Sequence, residues 1–369
     1  MEMALALLLT WAQLWFVMEQ KLNSCLLLLL AALSFESCQT SLLKDCAFIR
    51  VDNGILGAAG PLKCDTLRTR DLFVSADDIL AINDSLILAS NTPSSEYFID
   101  LANINSNSLI GRYIRKGNGP GEALNCRSVV SGRVIYVNDF VKCQLHTIDI
   151  DSILNNANVS ISCYEYSRGK AVPNISGQGD SIYFLNPNCL EYKRFSTGKP
   201  RYFIKKRNET ITDTEYEHAL QTYNVSQGHL IIKPGTDTVA FASLYYPFIE
   251  FYSSPQSPFL RICFPSNNSE KYQVDGSEIC FKDYVHYTFT GIACDSNYIY
   301  AAYVDDILIP GRKGLESFST IIIKMNWKGD ILDCKSFPYC IRSLSKTDSF
   351  LYGMVKDEGQ PLLYRFELP

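Results

Sequence analysis

Four histidines, thirteen cysteines and scattered carboxylates are the groups in this 369-residue chain that could do chemistry. His146, His218, His229 and His286 stand far apart, none at the spacing of a metal-binding pair, and they read as packing or surface residues. No G-x-S-x-G, P-loop or H-E-x-x-H occurs, so no acyl-transfer nucleophile, phosphate loop or zinc-protease site is written locally. Asp149-Ile150-Asp151 lacks the further ligands and the glycine of a calcium loop. Asp305-Asp306 and Asp357-Glu358 read most simply as solvated loop charges. The cysteines include no C-x-x-C pair, and several, such as Cys263 in RICF and Cys294 in GIAC, sit in apolar runs as small hydrophobes. Cys334 and Cys340 are the pair that oxidation would join first in an exported chain. The expectation is no catalytic residue, no metal and no cofactor.

Two other stretches suit binding. In Gly117-Asn118-Gly119-Pro120-Gly121-Glu122, three glycines permit positive φ and close backbone approach while Pro120 fixes one angle. Exposed N–H groups there, with Arg115 and Lys116 alongside, could cradle an anionic group. A rigid turn with Glu122 capping its own backbone explains the same residues. The stretch is no dinucleotide fingerprint, because its last glycine comes one residue too soon and Pro120 stands where a helix should begin. Tyr245-Tyr246-Pro247-Phe248 suits either a sugar-binding platform or packing. The candidate ligand contacts are Arg115, Lys116, Asn118, Glu122, Asn138, Asp139, Tyr245, Tyr246 and Asp305.

At the amino terminus, Met18 opens a better signal peptide than Met1, because residues 1–17 carry no positive charge. Lys21 supplies a positive start, Cys25–Leu33 an apolar core, and small Ser37 precedes Cys38. Cys38 after Ser37 resembles a bacterial lipobox, although Phe35 and Glu36 depart from its usual Leu and small residue. The expected plan is a signal peptide over 1–37, a lipidated tether over 38–46 and a folded domain over 47–369. A plain secretory signal or an uncleaved anchor is the alternative. Neither Ala4–Val17 nor Cys25–Leu33 reaches the length of a spanning helix. Gln39-Thr40-Ser41 lacks the Asp that, by resemblance to enteric lipoproteins, would hold it at the inner membrane, and also lacks an acidic run resembling a surface-export signal. The periplasmic face of the outer membrane is the expected address. A net charge of -5 supplies no basic field for nucleic acid or anionic lipid.

The domain that would carry these groups is repetitive. Tight polar turns at Asp84, Gly132, Asp180, Asp237, Asp295 and Asp348 each separate two alternating apolar runs, at intervals of 48, 48, 57, 58 and 53 residues. Such turns signal hairpins. Third and fourth strands follow in most units, as EYFIDL and SLIGRY do in the first. Four strands per roughly 50 residues, six times over, predict an all-β, six-bladed β-propeller with four-stranded antiparallel blades. A pair of β-sandwiches explains the regular period less well. Ala47–Val51 is the candidate for closing the ring beside Leu362–Leu368.

Cys38, the segment Gly111–Ala123 and VIYVND resemble the TolB-like six-bladed β-propeller lipoproteins of anaerobic Gram-negative gut bacteria. The resemblance spans residues 38–369, is sharpest over Gly117–Glu122, and implies fold and address more than activity.

In such a wheel the segments Arg115–Cys126, Tyr166–Asn174, Lys206–His229, Pro265–His286 and Val304–Phe318 share one face, opposite the tight turns. Long loops on a rigid scaffold are where binding concentrates. Within Lys206–His229, Thr214 and Glu217 fit a capping box, and Tyr216, Ala219, Leu220 and Tyr223 follow at helical spacing. The expected function is non-catalytic: a lipid-anchored propeller binding a glycan, peptide or envelope protein on its long-loop face. A propeller enzyme (glycan hydrolase, lyase or lactonase) is the alternative, and a sensor of envelope state is a third reading.

Overall fold

Alternating apolar runs become strands here because local side chains close the turns between them. The computed structural model describes residues 46–367 except 68, 70, 71, 93, 156–158, 166–173, 179–180, 187–188, 197–198, 202–226, 254–257, 267–271, 276–277, 282–283 and 310–313. Asn83 Oδ1 accepts from the backbone N–H groups of Ser85 and Leu86, both at 2.9 Å. Asp295 Oδ1 does the same for Asn297 and Tyr298 at 2.8 Å, and Gly132 supplies a φ of +60°. These are Asx-type closures, in which the side chain substitutes for a backbone acceptor. At the first turn Asn83 does this work, and its neighbour Asp84 instead accepts from Thr347 of the last repeat.

The chain opens with β1 (Ala47–Arg50), α1 (Asn53–Gly57), β2 (Gly60–Pro61) and β3 (Cys64–Leu67). The first sheet comprises β4 (Ala76–Ala81), β5 (Leu86–Asn91), β6 (Tyr97–Asn103) and β7 (Ser108–Arg115). The second holds β8 (Cys126–Ser131), β9 (Val134–Asp139), β10 (Gln144–Asp149) and β11 (Ile161–Glu165), with α2 (Ile150–Leu154) before β11. The third holds β12 (Asn174–Gln178), β13 (Ser181–Asn186), β14 (Cys189–Ser196) and β15 (Lys199–Arg201). The fourth holds β16 (Gly228–Ile232), β17 (Val239–Ser243), β18 (Phe248–Tyr252) and β19 (Leu260–Cys263). A hairpin, β20 (Tyr272–Asp275) and β21 (Glu278–Phe281), leads to the fifth sheet. That sheet has β22 (Val285–Cys294), β23 (Tyr298–Leu308), β24 (Thr320–Asn326) and β25 (Ile331–Phe337). The last has β26 (Ser343–Lys346), β27 (Leu351–Asp357) and β28 (Gln360–Phe366).

Within each sheet these strands pair antiparallel in sequence order, and each sheet packs its faces against the next. Leu88, Ile99, Ile135 and Val137 form one core between the first and second sheets. Ile249, Ile262, Ile299, Ile323 and Trp327 join the fourth to the fifth. Tyr300, Ile322, Leu351 and Phe366 join the fifth to the last, and Ala76, Ile87, Tyr352 and Met354 join the last back to the first. The first strands β8, β12, β16, β22, β26 and β4 lie side by side in that order. This is a β-propeller of four-stranded antiparallel blades, its apolar cores lying between blades.

Two expectations need correction. Five sheets, not six, take their four antiparallel strands from one continuous run, while the last is a composite in which β3 pairs antiparallel beside β28, Cys64 opposite Phe366. The closing strand is therefore Cys64–Leu67 and not Ala47–Val51. β1 joins the fourth sheet, pairing parallel with β19, and β2 joins the fifth beside β25. AFIR alternates well enough to suit any open edge, whereas CDTL is too short and polar to announce itself.

The long joints do gather on one side. Residues 116–125, 264–284 and 309–319 leave from the same face, opposite first-to-second turns that span two residues (132–133) to six (233–238). The joint 150–160, carrying α2, is an exception on the short-turn side. Cys334 and Cys340 are both buried and no disulfide joins them, so the proposed bridge is not formed. The leader, Cys38, the helix expected after Thr214 and the loop 166–173 lie outside the described residues.

Candidate functional site

Each inner strand begins at the long-loop face, and the first residues of four of them converge on the channel. A β-bulge between Ala76 and Asp78 re-aims β4, separating two neighbouring carboxylates. Asp77 takes Lys356 Nζ at 3.0 Å and Arg342 at 4.0 Å. Asp78 accepts from Ser343 Oγ, the first residue of β26, and from Ile79 N at 2.9 Å. Ser343 in turn accepts from Ile79 N at 3.1 Å, so the hydroxyl is fixed from both sides.

Arg127, second residue of β8, acts electrostatically on both Asp78 in the first sheet and His229 in the fourth. Arg127 stands at the long-loop end of an inner strand, where its charge is felt by groups in sheets on both sides of its own. Arg127 is exposed, and among the described residues it makes no ion pair. Burial pushes the Asp78 carboxyl above its ordinary value, against the lowering effects of Ser343 and Arg127. Burial, then the Arg127 charge, pulls His229 down to about 4, although the backbone of Phe289 hydrogen-bonds its ring. The described mouth thus holds three cations (Arg127, Arg342 and Lys356) and two carboxylates, on a chain whose net charge is -5.

The expected contacts fall elsewhere on the same face. Glu122 turns back to accept from Gly119 N at 2.8 Å, and its carboxylate sits where a side chain at Gly117 would begin. Lys142 Nζ donates to the carbonyls of Gly117 and Glu122 at 2.9 and 2.8 Å, sealing the loop from beneath. Asp139, fully buried, accepts from Leu124 N at 2.7 Å and from Val141 N and Lys142 N at 3.0 Å. Asn138 beside it is also fully buried. Arg115 pairs with Glu96 at 3.3 Å at the surface, Lys116 bridges to Ala123, and Asn118 is exposed at the tip. Tyr245 is buried edge-on against Tyr287, and Tyr246 stacks on Phe248. The structure therefore joins Glu122 to Asp139 through Lys142 and leaves the tyrosines apart.

Asp305 is no solvated loop charge. It lies in β23 with φ +39°, accepts from Ser266 Oγ, and meets Nε2 of buried His286 at 2.8 Å. Serine, histidine and carboxylate occur together, but the carboxylate lies between the other two. Ser266 Oγ stands 3.5 Å from His286 Nε2 and donates to Asp305, so the imidazole does not activate it. The cluster pins residues 264–266 onto the fifth sheet. A crevice on the outer flank, lined by Tyr300, Lys324, Asp333 and Leu351, measures about 10 Å³ and holds little more than one water.

No family model and no curated protein matches the chain. Among solved structures it is similar to a member of the DUF4221 family from Bacteroides vulgatus, with 13% identity and a TM-score of 0.51, covering 84% of this chain and 97% of that one. The likeness is one of fold. Similarity to a Bacteroides fragilis protein is 12% in identity with a TM-score of 0.49, covering 88% and 99% of the two chains. For one from Bacteroides thetaiotaomicron the figures are 9% and 0.46, over 88% and 75%.

What the mouth can do follows from its own groups. An arginine with no ion pair among the described residues, a carboxyl pushed up by burial and an imidazole pulled down by burial are gathered there. Sequence reading missed all four residues. The usable signal was positional: Asp78, Arg127, His229 and Ser343 lie five to eight residues before the turns of their repeats, so stacking the repeats puts them in one column.

Proposed function

We propose that the protein is a cell-envelope lipoprotein, anchored through Cys38, whose TolB-like propeller binds a ligand at the channel mouth without transforming it. The convergence of Asp78, Arg127, His229 and Ser343 from four separate sheets carries this reading. Packing alone does not call for an arginine without an ion pair at the mouth. Arg115, Lys116, Asn118 and Tyr246, which are not fully buried on the same face, form an outer ring of contacts for a ligand larger than the mouth. Glu122, Asn138, Asp139, Tyr245 and Asp305 hold that face in shape.

The reading is tested in two parts. Fatty-acid labelling of the wild-type chain and of Cys38→Ala should show label only in the former, and equal labelling would remove the anchor. A glycan array probed with the full chain should give binding that Ser343→Trp, which fills the mouth, abolishes. Binding unaffected by that substitution would place the ligand elsewhere.

A propeller hydrolase or lyase draws on one observation. Asp78 is pushed up and His229 down, and opposed shifts of this kind can set out an acid and a base. Turnover of a bound glycan, lost in Asp78→Asn, would favour it.

A further inference from the structure

We infer that the channel mouth recognises an anionic group, a carboxylate or phosphate held by the Arg127 guanidinium. This rests on the binding reading above and names the chemistry of the ligand. Three arrangements carry it.

Among the described residues the guanidinium has no ion-pair partner. The carboxylate nearest in influence, Asp78, is already engaged by Ser343 Oγ and Ile79 N, and no ion pair joins it to Arg127. The other acid at the mouth, Asp77, is taken by Lys356 and Arg342. Elsewhere on this face Arg115 is taken by Glu96, and Lys142 by the carbonyls of the glycine loop. Among the described residues, Arg127 is exposed and makes no ion pair.

The bulge at Asp77 keeps the charges sorted. Without it, Asp77 and Asp78 would keep the regular alternation of β4. With it, one acid goes to the rim cations, while the other is held by a hydroxyl and a backbone N–H in a buried setting that favours its neutral form. Arginine is suited to holding an anion because its planar fork meets two oxygens of a carboxylate or phosphate at once, which an ammonium cannot.

The surroundings strengthen the interaction. Inner strands enclose the mouth on all sides, so the charge of a bound anion would be poorly screened compared with one at the rim. The expected binding is therefore selective for charge, with Arg127 contributing more than Arg115 or Lys116.

The test is titration calorimetry on the full chain, with oligogalacturonate, inorganic phosphate and neutral cello-oligosaccharide of matching length as probes. Arg127→Gln and Arg127→Lys are compared with wild type, with thermal unfolding as the check that each variant folds. Binding of galacturonate or phosphate, weakened at least tenfold in Arg127→Gln and only partly restored in Arg127→Lys, supports the inference. Which anion binds identifies its source. Equal binding of the neutral oligosaccharide, or an anion affinity unchanged in Arg127→Gln, overturns the anionic class and leaves the binding reading standing. Failure of every probe here, together with a blank glycan array, overturns both.

Discussion

Two histidines weaken this fold toward acid. His229 is pulled down to about 4 by burial and Arg127, and burial also lowers His146, whose imidazole is fully enclosed between the first and second sheets. Both ring nitrogens of His146 lack a hydrogen-bond partner in the described structure, as does Ser128 Oγ, which lies on the same face of the sheet two strands away. An unfolded histidine takes its proton near pH 6.5, whereas folded His229 resists until about 4. Between those values the unfolded chain binds more protons, so stability falls as pH drops from 6.5 to 4 and is fully present above that window. His229 alone accounts for a loss of about 3 kcal/mol. Asp78 works in the opposite sense: its raised value favours folding at low pH, and that contribution is lost as pH rises through it. Urea denaturation of wild type and His229→Gln from pH 7.5 to 4.5 should show a steeper fall in wild type. Parallel profiles would refute the assignment. Neither histidine announced its environment in the sequence, because a lone polar residue in an alternating strand looks the same whether it faces solvent, a channel or a neighbouring blade.

The strands and their turns were the legible part, and for a physical reason. Ser131-Gly132 and Asp295-Ser296-Asn297 close hairpins by interactions confined to a few residues, so local sequence suffices to announce them. The seams between inner strands are another matter, since they join residues from different repeats. Thr288 Oγ1 donates to the carbonyls of Ser243 and Tyr246, and Thr290 Oγ1 donates to that of Ile341, tying β22 to the sheets on either side. Register shifts in β22 accompany these threonines. Gly291, next to Thr290, lies close against β26. A Cβ there would lie 2.9 Å from Leu344 N and 3.3 Å from the Ser343 carbonyl carbon, both backbone atoms of a packed strand. Gly291→Ala should therefore cost about 2 kcal/mol through overpacking. Gly57→Ala, which meets nothing within 4 Å and lies in α1, should be neutral or slightly stabilising. Equal denaturation midpoints for the two variants would show that the seam yields more readily than its backbone contacts imply.

At the scale of the whole wheel, closure was legible in principle and misplaced in detail. A ring of sheets must bring the ends of its chain together, and the strand that does so needs only to suit an edge. β3 performs this with four residues, pairing Leu67 with Leu363 and Cys64 with Phe366, while the more apolar β1 is added to an outer edge far along the chain. A second closure lies at the channel, between the last repeat and the first. Ser343 and Ser345 accept from the backbone N–H groups of Ile79 and Ala81, Thr347 Oγ1 donates to Asp84, and Tyr352 reaches the Asp84 carbonyl. The two closures have different consequences. The inner seam uses side chains and survives loss of the amino-terminal strands. The outer one is a backbone ladder whose removal leaves β28 as an open edge, exposed to pairing with other chains. Deleting residues 47–61 removes β1 and β2 but keeps β3, whereas deleting 47–67 removes β3 as well. If β3 supplies roughly 4 kcal/mol, the longer deletion lowers the unfolding midpoint by about 6 °C relative to the shorter. It should also produce concentration-dependent aggregation that the shorter deletion lacks. Indistinguishable melting and solubility would mean that the hydroxyl seam alone holds the ring shut, and that β3 decorates a sheet already closed.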